Sequence, residues 1–561
     1  MKNENAIFKS IMTNAERNIN ELCEFWDIYD KQRFFISAIG IYDKLFIDSI
    51  GPDAEELIKP YYDRIIRYSY PAFIRIFYSQ EFENLPGFVL IPLDDKQKIL
   101  YSKIIYSCGI IGWMQSMIDD VKAGYLSCTS LFNHVRIKFR EKYHWNEYLE
   151  KEHLTWYSET IIRLQQDEYE KLNAKLPEIL DKISQSVFVW RDHFMGYSND
   201  MEIEAHFNEH ADLDAKQTVE WDMFSHKCLF GNVHYGDIVQ AIIDFSGYSI
   251  KHIYCANALK AQYPQLIYEN LFICIFTEED LVNLIANNQE IDVKNAKTIL
   301  DTLSLTTNNS NYYNHTNALC APLIKVSRHQ YARSIRGFLD GAFEFALFRL
   351  HDSFPKDWDR NVNTREKTFK EHLYLLFDND RFLCVPHAIL IESNGQVSTD
   401  IDAAVIDKVT SEIALFQLKW QDPTGYSSFA LKSKKKNYNE QTEKWINTVD
   451  RWIKNCSEAE LASKMGIKKK YVQKDRILLF VLGRHHGNYS GSSKPTTKCA
   501  WVQWYQLLQT ISYLNQRGQL SLTRIHDYLI QTNPFNRRII EPMNTFVNGK
   551  YRFHYGGGKI E

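Results

Sequence analysis

Asp400, Asp402, Gln417 and Lys419 fall within one short stretch, TDIDAAVIDKVTSEIALFQLKW (399–420), in which two apolar runs flank a polar turn. Strand side chains alternate between faces, so Asp400 and Asp402 share one face, and so do Gln417 and Lys419. A hairpin whose turn is centred between Val409 and Thr410 pairs Asp407 with Glu412, Asp402 with Gln417 and Asp400 with Lys419. Phe416, Leu418 and Trp420 then occupy the other face of the second strand. An acid, an amide oxygen and an ammonium thus converge at one end of a strand pair. That set suits a hard cation such as Mg²⁺ or Mn²⁺, which takes oxygens from carboxylates, substrate phosphate and water. Asp402 supplies a carboxylate, and the Gln417 side chain and Leu418 carbonyl supply neutral oxygens. Lys419 supplies an ammonium that stabilises phosphate charge or orients an attacking water.

A second acid comes from upstream. NTREKTFKEHLYLLF (363–377) has helical periodicity, with Asn363 or Thr364 as its N-cap. At about 100° per residue, Glu366 lies in the sector of Phe369, Leu373 and Phe377, whereas Glu371 points away. A carboxylate on the apolar stripe of a helix requires a metal or a basic partner.

Glu366, then Asp402, then Gln417-Leu418-Lys419 resembles the PD-(D/E)xK nuclease superfamily. Its pattern is a helix with Glu, a strand opening on Asp and a strand bearing (E/Q)xK. The resemblance covers residues 361–513. No proline precedes Asp402, and Gln stands where the commoner pattern has Glu. The resemblance implies a restriction-endonuclease-like fold and Mg²⁺- or Mn²⁺-dependent hydrolysis of phosphodiester bonds, with DNA the favoured substrate. It implies catalytic roles for Glu366, Asp402, Gln417 and Lys419, with Glu366, Asp402 and Gln417 at the metal. Chains joining such a nuclease to an unfamiliar region resemble bacterial restriction or anti-phage defence factors. The alternative on the same fold is a catalytically silent nucleic-acid-binding or interaction protein.

Basic residues near this stretch are candidates for nucleic-acid contact. KSKKK (432–436) includes Lys434, Lys435 and Lys436, KMGIKKKYVQK spans 464–474, and GRHHGNYSG (483–491) brings Arg484 and His485 to a strand end. Both lysine runs read as solvated loops. Residues 361–561 carry 29 Lys+Arg against 19 Asp+Glu, so the acidic balance lies in the rest of the chain. A basic part of this kind suits a polyanion. HFNEH (206–210) matches the zinc-peptidase pattern H-x-x-E-H, but its polar surroundings read as a solvated acidic segment. There is no GxxxxGK[ST], hence no visible NTPase motif.

The elements that position these residues give an α+β chain. A mainly helical N-terminal region is followed by an α/β restriction-endonuclease-like domain with a mixed central sheet flanked by helices. With 561 residues, several domains are expected. They are a helical region at 1–200, a mixed α/β and helical region at 201–355, and the nuclease-like domain at 356–561. SLTTNNSNYYNHTNALC (304–320) reads as a loop, RHQYARSIRGFLDGAFEFALFRLHDSF (328–354) as one or two helices, and PKDWDRNVNT (355–364) as a break. In the C-terminal part, RFLCVPHAILIES reads as one strand, NEQTEKWINTVDRWI as an amphipathic helix, RILLFVLG as a buried strand and WVQWYQLLQTISYL as a helix. Ten cysteines without a CxxC pair, a polar start and no apolar run of ~18 residues predict a cytoplasmic chain with free thiols and no membrane partner. A homo-oligomer or a partner protein would engage through the N-terminal region.

Overall fold

The computed structural model describes residues 4–50, 66–88, 90–131, 134–139, 158–218, 220–393, 396–420, 428–485, 498–532, 544–548 and 551–555. The fold is α+β. It divides into two compact units, Met1–Asp120 with Ile162–Asn361, and Val121–Ile161 with Val362–Glu561. This division differs from a reading in three consecutive segments, because 121–161 groups with the C-terminal part. Among the described residues no helix is long and apolar enough to cross a membrane.

Unit 1 is mainly helical around an aromatic core. Phe35 of helix Ile28–Ile50 stacks on Phe73 of helix Arg67–Phe77 at 4.9 Å. Three sequence expectations change here. The 304–320 segment is not an open loop: it holds a 3-10 helix, Thr307–Asn314, with Tyr312 and Tyr313 fully buried. Its polar composition is used internally, since Asn309 donates to the Ser304 carbonyl (2.9 Å) and accepts from the Thr306 N–H (3.0 Å). QYAR (330–333) is a strand paired with Cys274–Thr277 and Leu323–Lys325 rather than the start of a helix. HFNEH lies on a packed helix, Met201–Ala215, in which His206 and Phe207 are buried and His210 pairs with Asp214 at 3.0 Å. The acidic residues around it misled the sequence reading, because several of them are partnered: Glu204 pairs with buried Lys251, and Asp214 accepts from Tyr169 as well as pairing with His210.

Unit 2 opens with strands β1 (Leu126–Leu131) and β2 (His134–Phe139). Helix α1 (Pro355–Leu375) starts at Pro355, where a missing N–H costs nothing, and runs through Asn363 and Thr364 without a break. The division between the units falls inside this helix. A five-stranded sheet follows, from β3 (Phe382–Cys384), β6 (Ala403–Asp407), β7 (Ile413–Lys419), β8 (Ile477–Gly483) and β9 (Cys499–Gln503), in that spatial order. The β3-β6 and β6-β7 pairs are antiparallel, and β7-β8 and β8-β9 are parallel. RFLCVPHAILIES therefore divides between β3 and a separate hairpin, β4 (Ile389–Ser393) with β5 (Gln396–Ile401). WVQ belongs to the last sheet strand, and only Trp504–Gln516 is helical.

The parallel pairs require crossovers, and helix α2 (Ser428–Asn455) with α3 (Glu458–Met465) makes the one between β7 and β8. Trp445, Ile446 and Val449 of α2 pack with Ile413, Leu415, Ala404 and Ile406 of the sheet and Ile389, Ile391 and Ile401 of the hairpin. On the opposite face Phe416 stacks on Phe480 at 4.8 Å, and Phe369 of α1 meets Trp420 and Trp504 edge-on. Helices α4 (Trp504–Gln516) and α5 (Leu522–Gln531) follow, then strands β10 (Asn544–Asn548) and β11 (Tyr551–Tyr555). These two strands join β1 and β2 in a second sheet of order β1-β2-β11-β10.

Candidate active site

The β6-β7 register decides which side chains meet. Ala403 faces Phe416 and Ile406 faces Ile413, and the ladder is extended by Asp407 N–H to Glu412 C=O (2.9 Å) and Asp402 N–H to Phe416 C=O (3.1 Å). Asp407 fixes the turn. Its fully buried carboxylate accepts from the Val409 N–H (2.9 Å) and from Arg381 Nε (2.9 Å), and Ser411 closes the turn at φ 59°. Burial would raise the Asp407 pKa, but these donors hold it below the usual carboxylate range. A slip of one residue would turn Asp402 and Gln417 to opposite faces.

Asp402 occupies the break between β5 and β6. Its Oδ2 accepts from the Leu418 N–H (2.6 Å) and from Gln417 Nε2. Gln417 follows Ile413 and Leu415 on the face that α2 covers and is itself buried, so the amide is a satisfied core polar group. Asp402 is raised to about 7, chiefly by burial, with the Leu418 N–H pulling it down, Glu366 and Asp400 adding to the rise and Lys419 opposing it. Glu366 is raised as well, first by burial of its carboxyl, with Lys419 opposing and Asp400 adding to the shift. The structure thus brings Glu366, Asp402, Gln417 and Lys419 into one electrostatic cluster. Sequence reading missed one further member, Lys370, whose pKa is lowered by burial and supported by Asp402. Its Nζ donates to the Pro386 carbonyl at 3.0 Å. The signal for it was available, since Lys370 follows Glu366 by four residues on the same helix face.

Four expectations are corrected by the geometry. Asp400 does not face Lys419. It pairs with Leu390 in the β4-β5 hairpin, because the chain bends at Asp402 and β5 leaves the sheet, and Trp445 Nε1 holds the Asp400 carbonyl at 2.7 Å. Glu366 is not inside the apolar stripe: the residue is solvent-accessible, and Arg365 and Phe369 take the buried positions. Arg484 and His485 are not an open phosphate-facing pair. The Arg484 guanidinium lies over the rings of Trp420 (5.1 Å), Trp504 (5.2 Å) and Phe369 (5.5 Å), and His485 is buried against Trp420. The KSKKK run is the first part of helix α2, not a loop. Lys432 Nζ donates to the Ala123 carbonyl at 2.7 Å, and exposed Lys436 lies 3.7 Å from Glu440. The side chains of Lys434 and Lys435, and residues 486–491, lie outside the described residues.

Among the described residues, no group of three or more His, Cys, Asp or Glu side chains is arranged to hold a metal ion. The donors this site offers are the two carboxylates of Asp402 and Glu366, while the Gln417 amide, expected from the sequence to be a metal ligand, is engaged with Asp402. Both acids are raised, Asp402 by burial and by the Glu366 and Asp400 charges, Glu366 by burial of its carboxyl and by Asp400, and a bound cation would relieve that destabilisation, so the two carboxylates fit Mg²⁺ or Mn²⁺. No family model, no curated protein and no solved structure matches this chain.

Proposed function

We propose that unit 2 is a metal-dependent nuclease that hydrolyses phosphodiester bonds, with DNA the favoured substrate. The observation that carries this reading is the convergence of Asp402, Glu366 and Lys419 around Gln417 at the end of β7, with both acids raised. Asp402 and Glu366 would hold Mg²⁺ or Mn²⁺, and Gln417 orients Asp402 through its Nε2. The ion, when bound, supplies Lewis-acid polarisation of a phosphoryl oxygen and a more acidic water. Lys419 places an ammonium beside the acids, where it stabilises the negative charge that grows on the transferred phosphoryl group. Gln417 and the Leu418 N–H keep Asp402 fixed on this side of the sheet, so little reorganisation is needed.

The test is incubation of purified protein with plasmid DNA, linear DNA and RNA in Mg²⁺, Mn²⁺ or EDTA. Strand scission that requires a divalent ion supports the reading. Binding without scission under every ion assigns the chain to the silent nucleic-acid-binding class.

A further inference from the structure

The second sheet of unit 2 has an alternating strand at its centre. In β2, HVRIKF, Val135 and Ile137 are buried, whereas His134, Arg136 and Lys138 are exposed on the other face. Strand β11 runs parallel beside it, with Arg552 next to His134 and His554 next to Arg136. Arg552 is exposed, and the His134 and His554 rings stack with centroids 5.2 Å apart and 6° between planes. The strands β1, β2, β10 and β11 contain no Asp or Glu at all. Arg136 and Arg552 stand diagonally across the β2-β11 pair, on either side of the hydrogen-bonded His134 Nδ1 and His554 Nε2 (2.9 Å), with no acid on any of the four strands to neutralise them.

We propose that this outer face, built on Arg136, Lys138 and Arg552 with the His134-His554 pair, binds the phosphate backbone of nucleic acid. The choice of nucleic acid as the polyanion rests on the nuclease reading of the same unit. Charge supports it: unit 2 carries 35 Lys+Arg against 24 Asp+Glu, a net of +11, whereas unit 1 carries −15. From His134 to Lys138 the row is about 13 Å long, the axial rise of roughly four nucleotides on one strand. The sheet is tied to the catalytic part of the unit where Lys432 of α2 bonds the Ala123 carbonyl, three residues before β1. Neither segment advertises the face in the sequence, because its two basic strands lie about 400 residues apart.

The experiment measures binding of labelled duplex DNA, single-stranded DNA and RNA by the whole protein in EDTA, across a salt series. One variant is Arg136→Gln/Lys138→Gln/Arg552→Gln. A second is Thr129→Glu, which adds an acid at the exposed position opposite Arg136 and removes no basic group. The triple variant should bind at least about tenfold more weakly, and its log-log salt slope should be shallower by about 2 to 3. Thr129→Glu should weaken binding in the same direction with the fold intact, so the test stands even where the triple variant fails to fold. Variants that bind as the parent does would overturn this face, while metal-dependent cleavage by the same proteins would leave the nuclease reading standing. Absence of any nucleic-acid binding would overturn the face, as would binding to anionic phospholipid vesicles alone.

Discussion

Asp402→Asn separates the chemistry of the site from its architecture. In the folded chain the Asp402 carboxyl titrates at about 7, against 3.8 for the free group, so the native state holds a proton that the unfolded chain has released. The stability that comes from the neutral buried acid is therefore complete below the unfolded value and lost as pH rises through about 7. At about 1.4 kcal/mol per pH unit, a shift of about three units amounts to at most about 4 kcal/mol. Asparagine is neutral at every pH, and its oxygen can still accept from the Leu418 N–H and from Gln417. In EDTA the variant should match the parent near pH 4 and exceed it by about 2 to 4 kcal/mol near pH 8. Urea unfolding followed by tryptophan fluorescence at several pH values reads this difference. A gain that is the same at all pH values, or a loss at high pH, would refute the reasoning that Asp402 is a destabilised acid.

Three further outcomes follow from the same geometry. Proton competition at Asp402 should weaken apparent Mg²⁺ affinity roughly tenfold per pH unit below about 7, measured by calorimetry; affinity flat across that range would remove Asp402 from the ligand set. Asp407→Ala leaves the Arg381 guanidinium and the turn N–H groups without their acceptor, and should cost about 2–4 kcal/mol in unfolding experiments together with activity. An unchanged stability would mean that the turn does not set the register. Arg484→Ala removes a cation held among three rings and should lower stability by at least about 1 kcal/mol without changing the salt slope of nucleic-acid binding. A shallower slope would make Arg484 a phosphate contact after all.

The β6-β7 hairpin is legible in the sequence because its information is local. A polar turn and two apolar runs of fixed period admit one register, and Asp407 with Glu412 follows directly. Glu366 is legible only as a helix position, since periodicity gives an angle but not where the helix overhangs the sheet. The bend at Asp402, which sends Asp400 to Leu390, depends on the packing of Ile389, Ile391 and Ile401 under α2 and leaves no local mark. CAWVQ is hidden for a related reason: it runs straight into a helix, and a short apolar strand has no period that separates it from a helical turn. Arg484 looks solvated in sequence because its aromatic partners, Phe369, Trp420 and Trp504, come from three distant segments.

The central claim is that Asp402 and Lys419 form a catalytic pair for phosphodiester hydrolysis. It is tested most directly by the single-turnover cleavage rate of DNA in Mg²⁺ for the parent, Asp402→Asn and Lys419→Met, each first shown to be folded. Removal of one charge-stabilising group should slow cleavage by at least ~10², about 2.7 kcal/mol, with nucleic-acid binding retained. Folded variants that cut as fast as the parent would contradict the account.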